Sequence, residues 1–87
     1  MKLQLTLYTR PRCGLCDLLH EDLLAFCRDR AVEIIPIDVD GNPDLKARYG
    51  ARVPVVVGDG AVLCEGRLDA SAVRAFLDRH APMAGTA

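Results

Sequence analysis

Three apolar residues at alternate positions, Leu3, Leu5 and Leu7, are separated by Gln4 and Thr6. After Pro11 the pattern changes to a helical stripe, and strand-forming residues return at Val32. This double switch of period constrains the fold more than any other feature. A strand, a helix and a second strand in immediate succession pair side by side only if the strands run parallel, joined by a right-handed crossover. The helix must then lie on one face of whatever sheet forms.

The stripe of the first helix, predicted over 15–30, is Cys16, Leu19, Leu23, Phe26 and Cys27, with Asp17, Glu21 and Arg28 on the opposite side. The second strand, predicted over 32–39, is rich in β-branched residues. Pro36 within it removes one backbone donor, which assigns it to a sheet edge. Asn42-Pro43 reads as a helix cap followed by proline at the first helical position, with Gly50 stopping that helix after Tyr49. A third strand is predicted over 53–57. Gly58-Asp59-Gly60 is a tight turn, and 61–65 returns as a fourth strand in a hairpin. Asp69 caps a last helix through Val73, Phe76 and Leu77, which Pro82 ends, leaving 83–87 as a frayed tail. The predicted order is β-α-β-α-β-β-α. Its economical solution is an α/β domain over 1–87: a four-stranded mixed sheet with helices on both faces.

The size of the chain, 87 residues, allows one domain, and its formal charge of −1 gives no bulk attraction for nucleic acid or an anionic membrane. No apolar run approaches the ~18 residues of a membrane span. The alternating start reads as a strand and not as a signal peptide. Without a secretion signal, four cysteines in a short chain point to redox or metal chemistry more than to a disulfide framework. Cytoplasm is the expected compartment.

Cys13-Gly14-Leu15-Cys16 sits where the first strand hands over to the first helix. Free backbone N–H groups and the macrodipole of a helix N-terminus stabilise an anion, so Cys13 is expected to have a lowered thiolate pKa. Arg10 and Arg12 add positive charge upstream. The thiolate is the attacking species in disulfide exchange, which assigns Cys13 as nucleophile. Cys16, one turn into the helix and on its apolar stripe, is the buried resolving cysteine. The competing readings are two small hydrophobes, or metal ligands. His20 completes Cys-x-x-Cys-x-x-x-His, yet a structural zinc site needs a fourth ligand and no second paired motif exists. His20 is therefore read as exposed on its helix face, and no metal is expected.

The segment Tyr8-Thr9-Arg10-Pro11-Arg12-Cys13-Gly14-Leu15-Cys16-Asp17 resembles the active-site segment of glutaredoxins. It is most similar to small bacterial glutaredoxin-like proteins with an aspartate after the second cysteine. Asp38-Val39-Asp40, Tyr49-Gly50 and Val53-Pro54-Val55-Val56 continue the resemblance in order, from Leu3 to Leu77. It implies a thioredoxin-like fold and thiol–disulfide oxidoreductase activity. It also implies a cis-proline at Pro54 that faces the dithiol and, with Val53, helps hold an incoming extended chain.

Two segments depart from the family pattern. Gly14-Leu15 stands where glutaredoxins usually have Pro-Tyr. Glu65-Gly66-Arg67-Leu68-Asp69 stands where they carry a Gly-Gly pair that binds the γ-glutamyl end of glutathione. Arg10, Arg12, Arg52 and Arg67 are expected to converge as an electropositive rim that binds glutathione carboxylates or an acidic protein surface. Cys27 and Cys64 are read as buried small hydrophobes. Tyr8 is left between packing and substrate contact.

The resulting expectation is a monomeric, glutaredoxin-like disulfide reductase with no permanently bound cofactor. It would act on a disulfide-containing protein or a low-molecular-weight thiol. Glutathione or a thioredoxin-reductase-like protein would be the donor, and neither nucleic acid nor membrane a partner. The rival from another class is a non-catalytic module of the same fold, holding a metal or iron–sulfur cluster through the same cysteines or serving as a protein-docking unit.

Overall fold

In the computed structural model, which describes residues 3–80, the chain runs β1 (Leu3–Thr9), α1 (Gly14–Phe26), β2 (Val32–Asp38), a 3-10 turn (Val39–Gly41), α2 (Pro43–Tyr49), β3 (Val55–Gly58), β4 (Ala61–Glu65) and α3 (Ala70–His80). The expected element order is present. The predicted stop at Pro82 and the tail 83–87 lie outside the described residues.

The strands form one four-stranded sheet in the order β2-β1-β3-β4. β1 and β2 pair in parallel from Leu3↔Val32 to Thr9↔Asp38, whereas β1–β3 and β3–β4 are antiparallel. Pro36 lies on β2, an edge strand, where its missing donor is tolerated.

Helices cover both faces. Leu5 and Leu7 of β1, Val56 of β3 and Cys64 of β4 pack against Leu19, Leu23 and Cys27 from α1 and its cap, and against Val73, Phe76 and Leu77 of α3. On the other face Val55 joins Val39 and Tyr49, with Tyr8, Leu45, Val53 and Val57 packed around them. Tyr8 stacks on Tyr49 with ring centroids 4.3 Å apart, which assigns Tyr8 to packing.

Three boundaries differ from the sequence expectation, each for a local reason. α1 ends at Phe26, not near Arg30, because nothing apolar follows Cys27 until the chain must enter β2. Cys27 caps the helix, its N–H donating to Leu23 O at 3.0 Å. Turn bonds from Arg30 N to Cys27 O and from Val32 N to Arg30 O then reverse the chain. β2 stops at Asp38, whose carboxylate accepts from Asp40 N at 2.8 Å and draws Val39 into the 3-10 turn. β3 starts at Val55, not Val53: Pro54 has no N–H to give the ladder, and Val53 N donates instead to Tyr49 O.

α3 rests directly on the sheet at Gly58. A methyl group there would come within 2.7 Å of the Phe76 ring and 2.9 Å of Leu5 Cδ2. Gly58→Ala is therefore expected to cost about 1–3 kcal/mol by overpacking and to lower the Tm by at least ~4 °C. Gly14→Ala, where the added methyl meets nothing within 4 Å, should leave the midpoint level or higher. Thermal unfolding of the two variants beside the parent checks both.

Candidate active site

Cys13 occupies the N-cap of α1, in extended conformation, and its Sγ accepts from Cys16 N at 3.1 Å. An N-cap acceptor is usually a hydroxyl or carboxylate; here it is sulfur, so one sulfur of the pair sits at the helix terminus itself. The two cysteines are joined as a disulfide with Cα atoms 5.2 Å apart. Their accessibility differs, because Cys13 is half-buried while Cys16 is only 2% exposed. Arg12 immediately before the cap takes a positive φ of 59°, and Asp17 stands in the first helical turn.

The sheet register brings other loops to the same end. Tyr8 lies opposite Val55, and Val55 opposite Glu65, so the segment leading to Cys13, the Val53-Pro54 segment and the turn at Gly66 leave neighbouring strand ends. The Val53–Pro54 peptide bond is cis, as the resemblance implied. Pro54 is buried, and its carbonyl accepts from Gly66 N at 2.8 Å, which ties two of these loops together.

The four arginines are at this end but fall into two pairs. Arg10 donates to Asp40 at 2.9 Å and reaches Gly50 O at 3.5 Å. Arg52 is ion-paired with Glu65 through both Nε and a terminal nitrogen, and lies 5.4 Å from the centre of the Tyr49 ring. That contact holds the exposed Glu65 carboxyl below its usual range and raises the Arg52 guanidinium. Exposed pairs of this kind contribute little to stability, though they do occupy the guanidinium. Arg12 and Arg67 are exposed and make no ion pair among the described residues. Sequence reasoning missed Asp40 and Glu65 as partners, because pairing across loops leaves no local spacing signal.

His20 is half-buried, not fully exposed as expected. Among the described residues, no three His, Cys, Asp or Glu side chains come together in a way that could hold a metal ion. Nor is any described helix long and apolar enough to cross a membrane.

Cys27 and Cys64 are free and buried, 5% and 4% exposed. Burial pushes the Cys27 thiol up against the opposing pull of Arg30. It also pushes up Cys64, whose Sγ accepts from Asp69 N at 3.3 Å. The Asp69 carboxylate in turn accepts from Ala72 N at 3.1 Å, as the expected cap of α3.

Two hollows flank the loop Gly66–Leu68. The larger, about 510 Å³, lies along edge strand β4 and the start of α3 and includes neither cysteine of the dithiol. The smaller, about 140 Å³, lies between this loop and Leu15, Leu18, Leu19 and Asp22 of α1, and neither cysteine of the dithiol lines it either. Sequence reasoning missed it; the signal was Leu15 and Leu18, two large apolar residues off the buried stripe.

Residues 4–78 match the model of the "Glutaredoxin-like domain (DUF836)" family. The chain belongs to this glutaredoxin-like family. It is 35% identical over 81 residues to the uncharacterized protein Rv0508 of Mycobacterium tuberculosis, covering 87% of this chain and 84% of the relative. Among solved structures it is similar to protein Ne2328 from Nitrosomonas europaea, with a TM-score of 0.79, 29% identity and coverage of 87% and 92% of the two chains. It is also similar to a thioredoxin from Halobacterium salinarum, with a TM-score of 0.63, 27% identity and coverage of 91% and 74%. The fold of this glutaredoxin-like chain is thus thioredoxin-like.

In the reduced protein Cys13 should alkylate readily at neutral pH. Cys27 and Cys64 should react at least ~10-fold more slowly, since burial keeps both as neutral thiols shielded from reagent. Timed iodoacetamide labelling read by peptide mass spectrometry checks this, and labelling in denaturant should abolish the difference. The sign with pH is the same for both buried thiols. What they contribute to stability as neutral groups is intact below the ordinary thiol range and is lost as pH rises through their higher folded values.

Proposed function

We propose that this glutaredoxin-like chain is a thiol–disulfide oxidoreductase, working in the reducing direction by dithiol exchange through Cys13 and Cys16. The observation that carries the proposal is the asymmetry of the pair. One sulfur is accessible, sits at a helix N-cap and accepts an amide hydrogen; the other is buried one turn behind it. The N-cap amide and the helix terminus stabilise negative charge on Cys13.

The Cys13 thiolate attacks one sulfur of a substrate disulfide, forming a mixed disulfide and releasing the first substrate thiol. Cys16 loses its proton and attacks Cys13 Sγ, closing the intramolecular disulfide and releasing the second thiol. Two electrons and two protons have then passed from the dithiol to the substrate. Val53 and Pro54, at the neighbouring strand end, flank the path of an incoming extended chain. A thiol donor from outside must reduce the enzyme again. The reducing direction follows if the chain works as a monomer in the cytoplasm, against a reducing thiol pool.

Glutathione is the donor the family suggests, and a thioredoxin-reductase-like protein is the other. Of the four rim arginines, Arg12 and Arg67 are the ones without an ion-pair partner among the described residues and so the readier to take glutathione carboxylates; Arg10 and Arg52 must first release Asp40 and Glu65. Exposed contacts of this kind are weak and salt-sensitive. Glutathione-dependent reduction of a glutathionylated peptide is therefore expected to be slow, to fall as ionic strength rises, and to fall further in Arg12→Ala. Fast, salt-insensitive turnover would remove the arginines from the mechanism.

Mutation of the pair tests the roles. Cys16→Ser should retain attack and accumulate a mixed disulfide on Cys13, whereas Cys13→Ser should abolish turnover. Mass spectrometry of trapped adducts decides it: adducts on Cys16, or turnover by Cys13→Ser, would reverse or remove the assignment.

A further inference from the structure

Arg52 stands directly before Val53-Pro54, and its guanidinium is held from several sides. Nε donates to Glu65 Oε1 at 3.1 Å, one terminal nitrogen donates to the same oxygen, and the other reaches Arg48 O at 3.4 Å. Its Cζ lies 5.4 Å from the centre of the Tyr49 ring. The edge formed by Nε and a terminal nitrogen is one that a carboxylate grips with two hydrogen bonds. Glu65 occupies it.

This ion pair joins the same two segments as the hydrogen bond from Gly66 N to Pro54 O, since Glu65 immediately precedes Gly66. The backbone bond makes the frame, and the ion pair is removable. Both side chains remain open to solvent, 41% and 43% exposed, so another carboxylate can compete for Arg52. The chain that leads to the dithiol is anchored close by. Arg10, three residues before Cys13, reaches Gly50 O at 3.5 Å, two residues before Arg52. Glu65 also falls in the segment that departs from the glutaredoxin pattern; a glycine in its place has no side chain to reach Arg52.

We propose that Glu65 is a specificity residue: it competes internally for Arg52 and bars that guanidinium to carboxylates of the substrate. The pairing moves the preference among disulfides away from acidic neighbours and toward neutral ones. The inference rests on the exchange reading above and deepens it by naming the substrate class. Arg12 and Arg67 still attract anions, and Glu65 sets whether Arg52 joins them. An exposed pair contributes little, so the effect is a few-fold preference and not exclusion.

The test uses two short cysteine peptides that differ only in carrying Asp or Asn on both sides of the cysteine, each as a mixed disulfide with thionitrobenzoate. Attack by the Cys13 thiolate on the peptide sulfur leaves the peptide on Cys13 and releases the coloured thionitrobenzoate anion. Cys16 then loses its proton, closes the intramolecular disulfide and releases the peptide thiol. The intrinsic reactivities of the two peptides cancel when the Asp-to-Asn rate ratio is compared between variants. Glu65→Ala should raise that ratio about two- to fivefold, the scale of one exposed ion pair. Arg52→Gln should not raise it. Adding Glu65→Ala to Arg52→Gln should change it by less than about 1.5-fold at about 0.15 M salt, where a charge acting from a distance is largely screened. An unchanged ratio in Glu65→Ala would overturn the proposal, because Arg52 is then not withheld. An equal rise with and without Arg52 would overturn it too, because net charge alone then suffices.

Should neither peptide react with the parent, the exchange reading falls, and NMR of the Arg52 Nε–H signal decides the pairing separately. An Asp peptide with Ala in place of its cysteine should shift that signal at least about twofold more in Glu65→Ala than in the parent. Equal shifts, or none in Glu65→Ala, would overturn the competition.

Discussion

Parallel pairing of β1 with β2 along Leu3–Thr9 and Val32–Asp38 obliges the chain to cross one face of the sheet between them, and α1 is that crossing. A helix of 13 residues is marginal in water by itself. Leu19 and Leu23, buried against Leu5 and Leu7, hold it in place, each contributing about 1.5–3 kcal/mol by removal from water. The site depends on that docking. If α1 frays at its start, Cys13 loses both the amide of Cys16 and the aligned dipole, and the dithiol loses its asymmetry.

The same topology explains why the remaining site residues come from distant parts of the chain. β3 is antiparallel to β1, so it begins where β1 ends; β4 is antiparallel to β3, so it ends there too. The cis-proline segment and the Gly66 turn therefore meet the dithiol end through strand direction alone. Their mutual hydrogen bond, from Gly66 N to Pro54 O, needs no contribution from a side chain. Within the segment the frame does depend on Gly66, whose φ of 79° disfavours any side chain, and on Asp69, whose carboxylate caps α3.

Much of this was legible in the sequence because it rests on periodicity and punctuation. The alternation of Leu3, Leu5 and Leu7, the stripe through Cys16, Leu19 and Leu23, Pro36 at an edge, and the Asn42-Pro43 cap all express local rules that the tertiary structure obeys. The boundaries that moved are those where a side chain or a turn competes with the regular element, as Asp38 does for Asp40 N and Cys27 does at the end of α1. The place of the dithiol was legible for the same reason as the fold, since Cys13 falls where strand hands over to helix and becomes the cap of α1. The ion pairs were not, because Arg10 with Asp40 and Arg52 with Glu65 join loops that only the sheet register brings together.

Those pairs bear on the field around the dithiol. Electrostatic attraction from a rim of four free arginines would draw in any anionic thiol or acidic protein with little discrimination. With Arg10 and Arg52 engaged by carboxylates, the positive field at the dithiol falls chiefly to Arg12 and Arg67. Arg67 also lines the smaller hollow with Leu15, Leu18 and Leu68. Attraction by two exposed guanidinium groups is screened over ~8 Å at physiological salt, so it speeds encounter more than it holds a partner.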